Sequence, residues 1–339
     1  MNSLSSIGNM SIGNQSTNLN IISGTYSNKT YQIPSYNVYF FSNPTTPTNV
    51  SSNVMPTDAS AEFNINVPSG STIIYYLMWG GGGAGGGGNV GGGGGSSGDL
   101  VQGSITLSSG TYNCKCNIGG GGRSIGFVAS GNYTTGGGTN GYGAAGGKTT
   151  LNIINNILID ASGGCPGGPS SNNNGATSFS LGGGCGTRIS GTTSYSGSIG
   201  TKYNGGGNPL GAGGGGGGAS AFEAGISSSS SAGVRGGKGV ASSTLNSPFN
   251  NFSNISYLYS NGSTYFCEGG GGASVQDGIE STSSFFGIGG NGGYRYSTTN
   301  AISATSGVAN TGSGGGAILY GHGTYSGTGA NGGIIIAFK

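Results

Sequence analysis

Glycine comes in uninterrupted blocks in this chain, and a block of glycine can be ordered in very few ways. The run 80–88 is broken only by Ala84, and 91–95 follows two residues later. Further blocks stand at 119–122, 136–138, 182–184, 205–207, 213–218, 269–272 and 314–316. A bare glycine has no side chain to bury and loses more backbone freedom on folding than any other residue. Hydrophobic burial therefore cannot hold such a block in place. Backbone hydrogen bonds between extended segments can, provided the segments approach too closely for any Cβ. That geometry predicts polyglycine-II, an array of extended helices on the polyproline-II path with three residues per turn.

The opposite expectation, a disordered linker, conflicts with what lies between the blocks. Those segments are rich in β-branched and aromatic residues, and the chain carries 18 Tyr and 12 Phe, which disordered linkers lack. Strict Gly-X-Y periodicity is missing, so the chain is not collagen-like. Gly, Ser, Asn and Thr are poor helix formers, and no 3.6-residue apolar stripe runs through the sequence. The fold class expected is all-β plus polyglycine-II: a small sheet of hairpins stacked on the glycine array, with loops protruding from its ends.

Charge and apolar content narrow the partners. Charged residues make up 5% of the chain and the net charge is +2, with Lys and Arg dispersed, so electrostatic binding of nucleic acid is not expected. The apolar stretch from Ile73 to Trp79 is too short to span a bilayer, so membrane insertion is not expected either. Met1 to Gly8 has neither the basic start nor the apolar run of a secretory leader. Five cysteines form an odd set without a CxxC pair. Cys114 and Cys116 fall on one face of a strand, where a mutual disulfide would be strained, and buried thiols are the expectation.

The chain divides at about residue 70. Residues 1–70 hold Pro34, Pro44, Pro47, Pro56 and Pro68 and few glycines. They suggest a β or extended attachment segment, with strands at 19–22, 36–41 and 61–67. The region 71–339 opens with a strand ending at Trp79. A hairpin is expected from 99–107 and 111–118 about a Ser108-Ser109-Gly110 turn, with Tyr112, Cys114, Cys116 and Ile118 on one face. A second hairpin is expected at 149–154 and 157–161, and Gly332 to Phe338 reads as a fully buried closing strand.

The order of these elements resembles a known family. Trp79-Gly80-Gly81-Gly82-Gly83 precedes Gly98-Asp99-Leu100-Val101-Gln102-Gly103-Ser104-Ile105-Thr106-Leu107. A Ser-Gly-Thr-Tyr turn, a strand ending Ile118-Gly119-Gly120-Gly121-Gly122, repeated polyglycine and the final Gly-Gly-Ile-Ile-Ile-Ala-Phe strand complete the pattern. It resembles the viral glycine-rich domain of phage tail proteins and of structural proteins of large DNA viruses. In style it is similar to the tail-fibre tip adhesins of T-even-like phages, whose polyglycine-II lattice carries receptor-contacting loops. The cysteines and the Asn- and Ser-rich composition depart from the phage tips.

The resemblance implies a virion protein made in host cytoplasm. Its role would be a capsid- or fibre-associated structural component that meets other virion proteins through residues 1–70 and its loops. The alternative is an adhesin that binds a host surface receptor at a fibre tip. A secreted ice-binding polyglycine-II protein is a remoter alternative.

Enzyme chemistry has little to build on, and no catalytic, metal or cofactor site is expected. His322 is the single histidine, flanked by glycines, and the eight carboxylates are dispersed. Gly146-Gly147-Lys148-Thr149 lacks the upstream glycine of a phosphate loop, because Tyr142 stands there. Contact residues are more legible. The segment 240–268 carries Phe249, Phe252, Tyr257, Tyr259 and Tyr265 among Ser and Asn, and Tyr294 and Tyr296 flank Arg295. Stiff amphipathic rings among adaptable polar groups are the composition of binding loops.

Overall fold

A computed structural model describes residues 16–33, 35–45, 58–88, 92–124, 126–127, 133–134, 143–153, 157–168, 187–188, 207–208, 236–251, 265–273, 288–295, 301–319 and 325–339. Eight of its strands join in one sheet: β1 (Asn18–Gly24), β2 (Ser27–Ile33), β3 (Tyr36–Ser42), β4 (Ala59–Trp79), β5 (Leu100–Ile118), β6 (Thr149–Ile153), β7 (Ile157–Ala161) and β8 (Gly333–Phe338). The order is β7-β6-β5-β4-β8-β3-β2, with β1 also paired to β4, and every pairing is antiparallel. Among the described residues the only helical elements are the 3-10 turns Ser242–Thr244 and Phe249–Asn251, so the fold is all-β.

The long pair β4–β5 is folded back on itself. Phe63 and Met78 stand 15 positions apart on β4, which in a straight strand would separate them by about 50 Å. Yet Phe41, which lies beyond Ile334 from Met78 in the sheet, stacks on Phe63 with ring centroids 5.2 Å apart. The fold comes where the pairing slips: Pro68, Ser69 and Gly70 stand opposite the single Ser109, between the pairs Val67–Gly110 and Ser71–Ser108. Gly70, at φ +72°, takes a backbone angle costly for other residues. Two layers result. One holds β7, β6, the second half of β5, the first half of β4, and β1. The other holds the first half of β5, the second half of β4, β8, β3 and β2.

This corrects the expected hairpin about Ser108-Ser109-Gly110. Those residues do not reverse the chain; β5 runs through them, and each half pairs with a half of β4. Local sequence looks the same in both cases, because a glycine-containing bend serves a hairpin turn or a bulge equally well. The boundary expected at residue 70 likewise falls inside β4, and β3 from the N-terminal side pairs directly with the C-terminal strand β8.

Side chains fill the space between the layers. Phe63, Ile65, Val67, Cys114, Cys116, Ile118, Leu151 and Ile153 face Ile74, Met78, Leu107, Ile334, Ile336 and Phe338. The inward set on β4 is odd-numbered before the bulge and even-numbered after it, which is what a slip in the pairing does to a period of two. A second cluster covers the outside of the β8 layer: Val38, Phe40, Leu77, Trp79, Ile335 and Ala337 meet Leu245, Phe249 and Phe266. With partners on both edges and side chains on both faces, β8 is buried at every residue, as its apolar run implied. The hairpin β6–β7 is also where the sequence placed it, with Ile153 opposite Ile157.

Candidate functional site

Where the sheet strands end, the glycine segments begin. Segment 80–86 continues β4, 92–99 leads into β5, 119–124 leaves it, 143–148 leads into β6, 162–168 leaves β7, and 326–332 leads into β8. Segment 80–86 is the hub. Gly80, Gly83 and Gly86 donate their N–H groups to Asp99, Ser96 and Gly93. Gly81 and Ala84 donate to Gly147 and Ala144, and Gly82 and Gly85 donate to Ala330 and Gly327. Its carbonyls accept from three other segments: Gly81 and Ala84 from Gly164 and Gly167, Gly83 and Gly86 from Gly315 and Ile318, and Gly82 from Gly122. These bonds are 2.7–3.0 Å long. Wherever a neighbour is bonded more than once, the bonds recur at every third residue, and six segments surround the hub.

At the glycines this packing leaves no room for a side chain. A Cβ on Gly82 would fall closer than 3.0 Å to the Ser313 carbonyl, one on Gly83 to that of Cys165, and one on Gly85 to that of Gly316. The obstruction is backbone, which cannot swing aside. None of these glycines has a positive φ, so the residue is required for its missing Cβ and not for its conformational freedom.

Polar side chains close the seam where glycine segments meet the sheet. Gly119 N–H donates to Thr149 Oγ1 (3.0 Å), Gly120 N–H to Asp58 Oδ1 (3.0 Å) and Gly121 N–H to Asn331 Oδ1 (2.8 Å). Partial desolvation raises the pKa of Asp58, and the bond from Gly120 opposes the shift. Glu268 is fully buried: its Oε2 accepts from the Ile288 and Gly289 N–H groups (3.0 and 3.1 Å), its carbonyl from Gly314 N–H, and its own N–H donates to Ser313 Oγ. A carboxylate here replaces lattice carbonyls that the geometry does not supply. Sequence reading treated Glu268 as one of several dispersed acids; its position just ahead of the block 269–272 was the available signal.

Of the residues expected to form a contact surface, Phe249, Tyr265 and Tyr294 are among the described ones. Phe249 is 1% exposed and packs in the cluster over Trp79, so the stretch 242–251 covers the sheet and does not protrude. That correction has a plain cause: Leu77 and Ile335 face outward on the β8 layer and need a cover. Tyr265 is half-buried beside Phe266, whose ring meets Trp79 edge-on at the sheet end of the array. Tyr294 lies at the opposite end, just after Gly293, whose N–H bonds to Ala317. Phe252, Tyr257, Tyr259 and Tyr296 lie outside the described residues, as do His322 and Cys185.

Gly146 and Gly147 belong to the array, Lys148 pairs with Asp160 at 2.8 Å, and Thr149 opens β6, so that stretch is strand and lattice with no phosphate loop. Cys114, Cys116, Cys165 and Cys267 are buried. Burial pushes the thiols of Cys114 and Cys116 up to about 12 and that of Cys267 well above its ordinary value, with the charge of Asp99 adding to the last. Among the described residues no cluster of His, Cys, Asp or Glu side chains is placed to hold a metal ion, and no helix is long and apolar enough to cross a membrane.

The sequence profile of a family described as a glycine-rich domain matches residues 57–339. The chain belongs to that family. The match begins just ahead of β4, so the glycine-rich domain as a family unit includes the whole folded β4–β5 pair and extends beyond the polyglycine blocks. No curated protein matches the chain.

Proposed function

We propose that this glycine-rich domain is a non-enzymatic structural component of a virion surface, in which a polyglycine-II lattice serves as a rigid scaffold. The observation that carries the reading is the hub 80–86, bonded on six sides, with its bonds recurring every third residue. Polyglycine-II has this three-fold repeat, and a lattice bonded in all lateral directions resists bending in a way a single sheet does not. The viral assignment rests on the resemblance in the order of elements, and the partners it implies are other virion proteins.

A receptor-binding role at a fibre tip is the second reading, and one feature favours it. Segments 80–86, 119–124 and 162–168 each start at the end of a sheet strand and run on away from the sheet. A scaffold that projects from its sheet suits presentation.

Immunogold labelling of purified particles, with antibody raised against the folded chain, tests both readings. Label over the particle shell supports the structural role. Label confined to fibre tips or one vertex supports the adhesin. No label on intact or disrupted particles removes the virion assignment.

A further inference from the structure

We propose that the outer face of the layer containing β1, β6 and β7 binds a neutral, hydroxyl-rich glycan. The inference is independent of the virion assignment and concerns a surface that the contact-loop reading leaves unused.

Strand register lines this face with short amides and hydroxyls in rows. Asn18, Asn66 and Thr111 stand side by side in one row, and Asn20, Asn64 and Asn113 in the next. They point outward because the residues alternating with them, such as Leu19, Ile65 and Cys114, are buried between the layers. Neighbours within a row are about 5 Å apart, and successive rows about 7 Å. The following row carries Glu62 and Lys115, joined at 2.9 Å, so their charges cancel.

Asn20 Nδ2 donates to Asn18 Oδ1 and Thr111 Oγ1 to Asn66 Oδ1, each at 3.2 Å, and the donors and lone pairs these bonds leave over on the short, stiff amides complement vicinal sugar hydroxyls. Asn64 Oδ1, in the middle of its row, is buried and accepts no hydrogen bond from the protein. A buried acceptor left in that state is costly, and a ligand hydroxyl would satisfy it as the amide turns outward. Other partners fit less well. Nucleic acid or an anionic membrane needs cations, and here the lysine is paired. A protein interface needs an apolar, aromatic centre, and the exposed apolar residues Ile22 and Leu158 sit on opposite edge strands.

Native affinity electrophoresis of the full chain through gels containing hydroxyethylcellulose, mannan or dextran is the test, with carboxymethylcellulose as the charged comparison. Retardation by at least one neutral polymer is expected. The Asn20→Ala/Asn64→Ala/Asn113→Ala variant should lose about tenfold or more in affinity, and Asn113→Gln should retain binding. Circular dichroism checks the fold of each, and the single exposed change Asn113→Lys repeats the test if the triple variant does not fold. Passage of the wild-type chain unretarded through all three neutral gels overturns the proposal, as does unchanged retardation of the variants. Sedimentation velocity supplies a third way to lose: self-association of the wild type that these substitutions abolish would make the face a subunit contact.

Discussion

The glycine array and the two-layered sheet are ordered by opposite means. In the sheet, side chains such as Phe63, Ile336 and Phe338 leave water, each contributing about 1.5–3 kcal/mol, and their volumes hold the layers apart. At the glycines of the array no side chain separates the segments, and backbone bonds hold them together. Fixing a residue's backbone costs about 1–2 kcal/mol, more for glycine, while a backbone hydrogen bond contributes about 0.5–1.5 kcal/mol net. With roughly one bond per residue once each is shared between two partners, these bonds do not by themselves offset the ordering of the array. It needs an anchor. The hub and five of its six neighbours are direct continuations of sheet strands, so the hydrophobic core fixes one end of the array and the segments bond in the register that the strands impose.

If that contrast is right, the two regions should answer mutation differently. Gly82→Val should abolish soluble folding, because the added atoms meet the Ser313 carbonyl; expression and circular dichroism decide it, and a variant of unchanged stability would sink the packed-array account. Phe63→Ala should cost about 3–5 kcal/mol in chemical denaturation yet leave a folded protein, since a core tolerates a cavity better than a lattice tolerates a Cβ. The smaller truncation Ile336→Val, which removes one methylene, should cost only about 0.5–1.5 kcal/mol.

At the seam, Glu268→Ala should cost about 3 kcal/mol, because it strands the Ile288 and Gly289 N–H groups in the interior. Hydrogen exchange at those two amides should rise with it. Unchanged protection there would mean that Glu268 is not what holds the two segments.

Smaller effects come from Asp58. Its folded-state pKa is raised by desolvation, so the folded state holds the proton more tightly than the unfolded chain. The stabilisation this gives is fully present below the ordinary carboxylate pKa, about pH 4, and is lost as pH rises through the raised value. Asp58→Asn keeps an acceptor for Gly120 and removes the charge. It should raise the melting temperature slightly at pH 7, with the difference vanishing below about pH 4; a fall at pH 7 would reverse the sign argued here.

Legibility followed the range of the interactions. The hairpin β6–β7, the buried run of β8 and the shared face of Cys114, Cys116 and Ile118 were readable, because each is set by alternation within a few residues. The run of β5 straight through its middle was not, since Ser108-Ser109-Gly110 carries the same local signal for a hairpin turn as for a bend opposite the bulge on β4. Phe249 was misread for a related reason: an aromatic among Ser and Asn looks like a contact residue until Leu77 and Ile335 are seen to need covering. Glu268 was invisible as a lattice cap, because the orphan N–H groups it serves lie about twenty residues ahead in the chain.

What the amino-acid sequence determined alone is the kind of order available to this chain: glycine blocks that burial cannot organise and alternating apolar segments that it can. Which segments became neighbours was decided only in the tertiary structure. A glycine block carries no side chain to tell one partner from another, so its pairings are inherited from the strands on either side, and those strands find their register through long-range contacts of side chains such as Phe41 on Phe63.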